Sequence, residues 1–590
     1  MTTLGKLLIT LIILGLLAFG IFRWKDQIFP DPNKQAPPVA AAPAQPAAQP
    51  GTPDAPPAKT VADKVSDTQA IISKLLAADK EAQAVGASAI PPVKGVSAYK
   101  LETFNGKPLV IFPINVWPGW APIIVANNGL EPNDQSLFTK LGFYVKLTII
   151  DDPIKNRDLY ASGQSPIMWA TLDMIALFAP ELVKDSRTVP NVPMQVDFSA
   201  GGDGIVARGD IRSINDFKKV NGHKKRVVVA QNSPSHNFIM RLLLDAKIDP
   251  DDLNFIWASD APSAAKIFVQ DKTIDAFVGF SPDIYTISDM DKSTHIVLST
   301  ASANRMIADV WAVRNDFVKD HPDIVQGLVQ GILEGVDIVR KNPNLAAEQL
   351  SKAYGLPIDD CKAMIGKDGG IATGDAHLTN YRENSNFFFE PMNPANFEII
   401  YSSAAGIFKM LGAIDSIVPA SQVKYTKALD ALRETFKDSR DVSQPMFKPG
   451  MNFTTLEAPT NQIISRSVQF TFKPNSAELD LTYDPNITKY LDEIGKLAGG
   501  FGNAYVVVEG NTDASRKGVV PEDLVVQFSY DRADAVKKAI LEKYKFNPDQ
   551  FKVIGNGWKN PLPNNTDPSN PDHNKANRRV EVKVFPFESD

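Results

Sequence analysis

Short apolar runs alternate with longer amphipathic stretches between Leu109 and Ile414, and this alternation constrains the fold more than any other feature. Three runs are short, largely aliphatic and bounded by polar residues, which is typical of buried parallel strands: 109–112, 227–230 and 274–278. Apolar residues at helical spacing predict four helices: 173–178, 238–246, 322–341 and 342–353. The sequence therefore predicts a doubly wound α/β architecture, in which loops at the carboxyl ends of the strands form a cleft.

Two polar segments in this region predict the walls of a small-molecule cleft. The first is glycine-rich, so that backbone N–H groups can approach a bound molecule closely; its candidate ligand-binding residues are Ser199, Gly201, Gly202 and Asp203. The second begins a predicted helix, where hydroxyls cap the helix and the dipole favours negative charge; its candidates are Ser233, Ser235 and His236. The Asp203 carboxylate argues against a simple anion site, because it would repel phosphate or sulfate.

Further candidates for ligand contact each have a structural alternative: Trp117, Trp120, Thr171, Phe280 and Asp283. The two tryptophans could stack on a planar ligand, or they could belong to the core. Hydroxyls such as that of Thr171 could donate to a ligand oxygen, or they could cap helices and satisfy turns. His236 and the loop residues Phe280 and Asp283 leave the same two interpretations open.

Composition excludes several classes of function. A chain of 590 residues is too long for one hydrophobic core, and a net charge of -6 argues against nucleic acid as the main partner. The single Cys361 cannot form an internal disulfide, and the six histidines show no metal-ligand spacing. The chain has neither a Gly-x-Ser-x-Gly motif nor a phosphate-binding loop. We therefore expect no metal, no cofactor, no catalytic residue and no enzymatic activity.

The N-terminal region predicts export. Residues 1–26 hold an apolar run at 7–22 between Lys6 and Trp24, which favours an uncleaved inner-membrane helix with these two residues at the interfaces. A cleaved signal peptide is the alternative, because Ala-Phe-Gly at 18–20 is a small-x-small site. A proline- and alanine-rich linker at 27–60 and a short helical segment at 61–95 follow.

The order of motifs in the middle region resembles a family. Trp117-Pro-Gly-Trp120, Trp169-Ala-Thr171-Leu-Asp173, the glycine-rich segment, Ser233-Pro-Ser-His236 and Gly279-Phe-Ser-Pro-Asp283 are similar to solute-binding proteins of ABC importers, in the class that takes nitrate, sulfonates, bicarbonate or thiamine precursors. The resemblance implies that residues 96–440 form two α/β lobes, joined by a hinge, that close on an unidentified small solute. It also implies an ABC permease or another envelope complex as a partner.

The last part of the chain predicts a separate α+β unit. Residues 441–462 are interpreted as a linker, and residues 463–590 as the C-terminal domain. Within that domain we predict strands at 468–472, 504–510, 552–554 and 579–584, and helices at 490–497 and 531–544.

This unit resembles the OmpA-like peptidoglycan-binding domain. The resemblance rests on four ordered segments: Gly510-Asn-Thr-Asp513, Phe528-Ser-Tyr-Asp-Arg532-Ala, Gly555-Asn-Gly557 and Asn577-Arg-Arg-Val-Glu581. It implies that Asp513 and Arg532 grip the diaminopimelate of the peptidoglycan stem peptide, with Asn511, Thr512 and Arg578 beside them. An acid and a guanidinium complement a ligand that carries both an ammonium and a carboxylate. The chain departs from the family pattern at Val525, where an asparagine is usual.

Together these features predict a periplasmic protein of a Gram-negative-type envelope, tied to the inner membrane and to peptidoglycan, with a solute-binding module between the two attachments. Two alternatives stay open. A stator subunit like MotB combines one membrane helix with an OmpA-like domain, but the run 7–22 contains no ionisable residue. An enzyme that uses the binding-protein fold is the other alternative.

Overall fold

The computed structural model describes residues 90–93, 95–442, 462–473 and 475–586, all within one compact unit. The segments at 1–26 and 27–60, most of 61–95 and most of the 441–462 linker lie outside the described residues, so these assignments stay predictions. None of the helices in the described ranges is both long enough and apolar enough to cross a membrane.

The described strands are, in chain order, β1 (Glu102–Phe104), β2 (Lys107–Ile114), β3 (Tyr144–Ile149), β4 (Ile167–Thr171), β5 (Pro190–Asn191), β6 (Gln195–Ser199), β7 (Asp203–Arg208), β8 (Arg226–Ala230), β9 (Asn254–Ala258), β10 (Ala276–Phe280), β11 (Thr294–Ser299), β12 (Ala308–Arg314), β13 (Ala376–Leu378), β14 (Ile464–Val468), β15 (Ala504–Asn511), β16 (Phe551–Gly557) and β17 (Arg579–Pro586).

The described helices are α1 (Ala121–Asn127), α2 (Leu137–Lys140), α3 (Pro153–Ala161), α4 (Leu172–Leu182), α5 (Pro234–Asp245), α6 (Ala261–Gln270), α7 (Asp283–Met290), α8 (Asn315–Asp320), α9 (Pro322–Lys341), α10 (Pro343–Tyr354), α11 (Ile358–Ile365), α12 (Tyr381–Phe389), α13 (Phe397–Met410), α14 (Ala420–Val423), α15 (Lys427–Ala431), α16 (Ile487–Gly500), α17 (Glu522–Lys543) and α18 (Pro571–Asn577). Short 3-10 turns lie at Pro118–Trp120, Ile214–Phe217, Pro250–Asp252 and Pro548–Gln550.

Separate sheets form two lobes in the middle region. The first lobe contains the sheet β13-β6-β12-β4, with β5 paired to β12, and the smaller sheet β1-β2-β3 beside it. The second lobe contains the sheet β11-β7-β10-β8-β9, in which β8 is parallel to both β9 and β10. The prediction of two α/β lobes is confirmed, and the buried parallel strands explain the apolar runs at 227–230 and 274–278.

The chain crosses between the lobes twice. The first crossing runs from β6 to β7 through residues 200–202, and the second from β11 to β12 through residues 300–307. Thr300 joins the crossings, because its hydroxyl accepts hydrogen bonds from the backbone N–H groups of Gly201 (2.9 Å) and Asp203 (3.1 Å). These two crossings form the hinge.

The C-terminal domain is a sheet of order β14-β17-β15-β16 covered by helices, as the α+β prediction states. The predicted strand 468–472 is misplaced: β14 ends at Val468, after pairing with β17 from Ile464 opposite Val584 to Val468 opposite Val580. Beyond it, the backbone N–H of Thr471 donates to Asp484 instead of to a strand (2.9 Å). The predicted helix 531–544 begins earlier, at Glu522.

This domain packs directly against the solute-binding region. Arg466 pairs with Asp245 of the second lobe (3.3 Å) and with Glu493 of its own domain (2.8 Å). The backbone N–H of Lys545 donates to the Met392 carbonyl of the first lobe (2.8 Å), and that of Arg305 in the hinge donates to the Gly500 carbonyl (3.2 Å). The C-terminal domain therefore contacts both lobes and the hinge.

Candidate functional site

The glycine-rich segment lies in the hinge. The Ser199 hydroxyl donates to Asp203 Oδ2 (2.7 Å) and lies 2.8 Å from the Thr300 hydroxyl. Gly201 has a φ of 151°, and its carbonyl accepts a hydrogen bond from the Tyr285 hydroxyl of α7 (2.8 Å). This network ties the two crossings to the first helical turn of α7.

Gly202 allows close contact with an aromatic side chain. A Cβ at this position would lie 2.5 Å from the Trp117 ring, so no larger residue fits without movement. The Trp117 indole N–H donates to Asp197 (3.2 Å to Oδ2), and its ring meets that of Phe280 edge to face at 6.3 Å. Trp117 belongs to the first lobe and Phe280 to the second, so this pair spans the junction of the lobes.

The second tryptophan has a different setting. Trp120 is 1% exposed, and its indole N–H donates to Asn115 Oδ1 (2.6 Å). Its ring lies 6.0 Å from the Phe112 ring within the core of the first lobe. The assignment of both tryptophans to ligand contact stays a prediction.

The second polar segment forms the N-terminus of α5, as its sequence indicates. The Ser233 hydroxyl accepts a hydrogen bond from the backbone N–H of His236 and so caps the helix. Ser235 is fully buried, and its hydroxyl has no hydrogen-bond partner. The His236 ring packs against Trp257 of the same lobe and Phe408 of the other, and this burial lowers the pKa of His236 to about 4.

Five buried aspartates surround the hinge, and we name them the acidic cluster: Asp173, Asp197, Asp203, Asp309 and Asp375. Asp197 and Asp309 lie directly opposite each other on β6 and β12, and after burial the charge of Asp197 is the next cause that raises the pKa of Asp309. Tyr285 donates to Asp375 Oδ1 (3.1 Å). Sequence patterns predict only Asp203 of these five as a site residue. The other four aspartates come from separate parts of the chain, so no local motif indicates that they meet.

Burial disfavours the ionised form of every member of the acidic cluster. Desolvation raises the pKa of Asp173 and of Asp375 to about 6, and the pKa of Asp197 and of Asp203 to about 7. The pKa of Asp309 is raised well above its usual value, first by burial and then by the neighbouring carboxylates. Asp283, at the start of α7, also has its pKa raised by burial, to about 7, with the Asp260 charge adding to the effect.

Thr171 lies at the edge of the acidic cluster. It ends β4 directly opposite Asp309, and its buried hydroxyl acts on Asp173 as a hydrogen-bond donor. The residues of the predicted cleft thus lie on both sides of the hinge, and the ligand role of each stays a prediction. Among the described residues, no group of three His, Cys, Asp or Glu side chains is placed to hold a metal ion.

A cavity of about 520 Å³ lies elsewhere, at the junction with the C-terminal domain. Its walls include Gln195 of β6, Arg305 of the hinge, His377 of β13 and Lys545 of the C-terminal domain. The His377 Nε2–H donates to the Glu383 carboxylate (3.1 Å); burial would raise the pKa of Glu383, but the hydrogen bond from His377 and the charges of His377 and Arg340 lower it to about 2. The sequence did not predict this cavity, because it exists only where the domains meet.

The C-terminal domain brings its predicted residues together. Arg578 pairs with Asp513 (2.9 Å), and the charges of Arg578 and Asp513 both act on Arg532. The Arg532 guanidinium lies 4.7 Å from the centre of the Phe472 ring and 4.2 Å from that of Phe528, and its Nε donates to the Ser476 carbonyl (3.1 Å).

The protonation states of Arg532 and Asp513 suit recognition of a zwitterion. Burial, with the nearby Arg578 charge, lowers the pKa of Arg532 to about 10, so it stays a cation at neutral pH. Burial alone would raise the pKa of Asp513, but hydrogen bonds from Ser515 and Arg578 hold it below its usual value. The Asn511 amide nitrogen and the Thr512 hydroxyl are buried without partners beside Asp513. The site thus offers one anion, two cations and two unused polar groups.

Comparison with known proteins gives matches to two families. Residues 201–346 match the family model described as NMT1/THI5 like, and residues 471–578 match that of the OmpA family. No curated protein sequence is significantly similar to the chain.

Three solved structures illustrate the structural matches. The aliphatic sulphonate binding protein SsuA of Escherichia coli aligns with 14% identity and a TM-score of 0.41, over 54% of this chain and 92% of its own. The alkanesulfonate-binding protein SsuA of Xanthomonas axonopodis pv. citri has 13% identity and a TM-score of 0.40, over 54% of this chain and 98% of its own. The nitrate-binding protein NrtA of Synechocystis PCC 6803 has 15% identity and a TM-score of 0.42, over 56% of this chain and 88% of its own. The chain thus combines an NMT1/THI5-like segment with a C-terminal OmpA-family domain, as the two sequence resemblances stated.

Proposed function

We propose that the chain is a periplasmic envelope protein that binds a small solute between its two lobes and attaches non-covalently to peptidoglycan through its C-terminal domain. The observation that carries the proposal is the convergence of Asp513, Arg532 and Arg578 in the OmpA-family domain. No catalytic step is assigned to the chain.

The ligand of the C-terminal site is proposed to be the diaminopimelate end of the stem peptide. This group carries an ammonium and a carboxylate on one carbon, so it needs an acid and a fork-shaped cation side by side. Asp513 would receive the ammonium, and Arg532 would receive the carboxylate. Because the guanidinium lies over the rings of Phe472 and Phe528 and its Nε donates to the Ser476 carbonyl, Arg532 is positioned before the ligand arrives.

The attachment at the other end is proposed from the sequence. Residues 7–22 would form an inner-membrane helix, and residues 27–60 would separate the membrane from the folded unit. A tether at both ends would hold the solute-binding lobes within reach of a membrane partner, for which an ABC permease is the proposed candidate.

Sedimentation of the full-length protein with purified peptidoglycan tests the attachment. Asp513→Ala and Arg532→Ala should each weaken retention by roughly thirtyfold, because each leaves one charge of the ligand unpaired at a cost of about 2 kcal/mol. Asp549→Ala is the matched control, since Asp549 is an exposed acid of the same domain. Equal retention of all the variants would refute the site assignment.

A further inference from the structure

We propose that the solute held between the lobes is a small organic cation with N–H donors, such as an alkyl amine or a guanidinium compound. The inference rests on the proposed function, because it names the class of solute for that cleft. It starts from the acidic cluster at the hinge.

The cluster is built on one face of the first-lobe sheet. Thr171 of β4 lies directly opposite Asp309 of β12, and Asp309 lies directly opposite Asp197 of β6. Side chains of directly opposed residues project from the same face of a sheet and lie about 5 Å apart at their Cβ atoms. One row across three strands therefore presents a hydroxyl and two carboxyls to the same side.

Asp203 Oδ1 has no hydrogen-bond partner among the described residues, whereas the Thr171 hydroxyl acts as a hydrogen-bond donor to Asp173. Asp203 is 3% exposed, so solvent does not compensate for the missing bond. Burial of an unpaired acceptor is unfavourable, and it is more so for a carboxylate. The missing partner of Asp203 Oδ1 is a donor, and an N–H group of a ligand supplies it.

The charged side chains that act on Asp203 are all acidic. The groups that act on Asp203 are the Ser199 hydroxyl and the carboxylates of Asp173 and Asp375, and no lysine or arginine is among them. Hydrogen bonds from the Thr171 hydroxyl and from its own backbone favour the ionised form of Asp173, but no basic side chain does so. An anion such as nitrate or a sulfonate would be repelled here, whereas a cation would neutralise the cluster.

An aromatic wall adjoins the cluster. Trp117 donates its indole N–H to Asp197, so its ring stands beside the carboxyl row and contacts Phe280 of the second lobe. Aromatic faces attract organic cations, and this pair spans the junction of the lobes. A cation between the acidic cluster and this wall would contact both lobes.

The inference requires that binding depend on pH. The acidic cluster carries protons in part at mildly acidic pH, and a bound cation must displace them. The other titratable groups that face the cluster are Tyr285 on Asp375, and His377 near Asp197, which is itself paired with Glu383. Affinity for a cation should therefore rise between about pH 5.5 and pH 8, the range in which acids of pKa about 6 to 7 ionise.

Calorimetric titration of the full-length protein tests the inference with four probes: 1,4-diaminobutane, agmatine, ethanesulfonate and nitrate. We expect at least one of the two cationic probes to bind, more tightly at high pH, and neither anion to bind. Asp203→Asn and Asp173→Asn should each weaken cation binding by roughly ten- to a hundredfold, because each removes a charged acceptor. Asp359→Asn, an exposed acid of the first lobe, is the control and should bind as the native chain does.

Each other outcome overturns the inference. Binding of ethanesulfonate or nitrate would refute the cation assignment and leave a solute-binding function intact. Binding of neither cation would also refute it, and so would cation binding that both cluster variants retain. The peptidoglycan assay uses other residues, so loss of retention there would refute the tether without affecting this result.

Discussion

Replacement of Asp203 by asparagine should make the protein more stable at neutral pH. Asp203 is 3% exposed, and its pKa in the folded state is about 7 against an ordinary value of 3.8. The folded state therefore binds a proton at Asp203 more tightly than the unfolded state, so the contribution of Asp203 to stability is fully present below pH 4 and is lost as the pH rises through 7. The difference between the two pKa values corresponds to about 4 kcal/mol lost by pH 8.

Asparagine has no charge to desolvate, so Asp203→Asn should remove this loss. It also disturbs the hydrogen bond from Ser199, which costs about 1 kcal/mol at every pH. The net expectation is a variant that is about 1 kcal/mol less stable near pH 4 and about 2–3 kcal/mol more stable at pH 8.

Urea denaturation followed by tryptophan fluorescence at several pH values measures this difference. The native chain and the variant should cross in stability between pH 4 and pH 7. A variant that is destabilised by the same amount at pH 4 and pH 8 would refute the reasoning, because Asp203 would then be an ordinary ionised carboxylate in the fold.

Three further predictions concern packing. Gly202→Ala should destabilise the hinge by about 1–3 kcal/mol in urea denaturation, and shift tryptophan emission, because the new methyl group would collide with the Trp117 ring. Arg466→Ala should loosen the C-terminal domain by about 1–2 kcal/mol, because Glu493 loses its ion pair and Asp245 keeps only Arg241, and limited proteolysis should then cut between the domains. The His236 ring signals in a proton NMR titration should stay constant above about pH 5.5, because burial keeps this imidazole neutral.

Matched controls separate these effects from general damage. Gly406→Ala adds a methyl group to a helical glycine with nothing within 4 Å, so it should not destabilise the chain. Arg433→Ala breaks a largely exposed pair with Asp430 and should cost less than about 1 kcal/mol. If either control variant loses as much stability as its test variant, the explanation by local packing is wrong. A His236 signal that titrates near pH 6.5 would contradict the burial of this imidazole.

The C-terminal domain contacts both lobes and the hinge, so it links their positions. It holds the second lobe through Arg466, the first lobe through Lys545 and the hinge through Gly500. A change in the angle between the lobes must strain or break one of these contacts, because each is directional. We therefore expect a change in the angle between the lobes to displace the C-terminal domain.

Local patterns in the sequence determined much of the fold. The apolar runs placed β2, β8 and β15, helical periodicity placed α9 at 322–341, and Ser233 marked the start of α5. The ordered motifs also brought Asp513, Arg532 and Arg578 into one candidate site. These features depend on residues close in the chain, or on motifs whose order is itself the signal, and so they can be read from sequence.

Tertiary structure alone decided the character of the hinge and the docking of the last domain. Ser199 and Asp203 meet Thr300 across a hundred residues, and the acidic cluster collects carboxyls from five separate segments. Arg466 meets Asp245, far from it in sequence. Periodicity reports only which face of an element is buried, whereas the identity of the buried neighbour, and hence the charge and pKa at the site, arises when distant segments pack together.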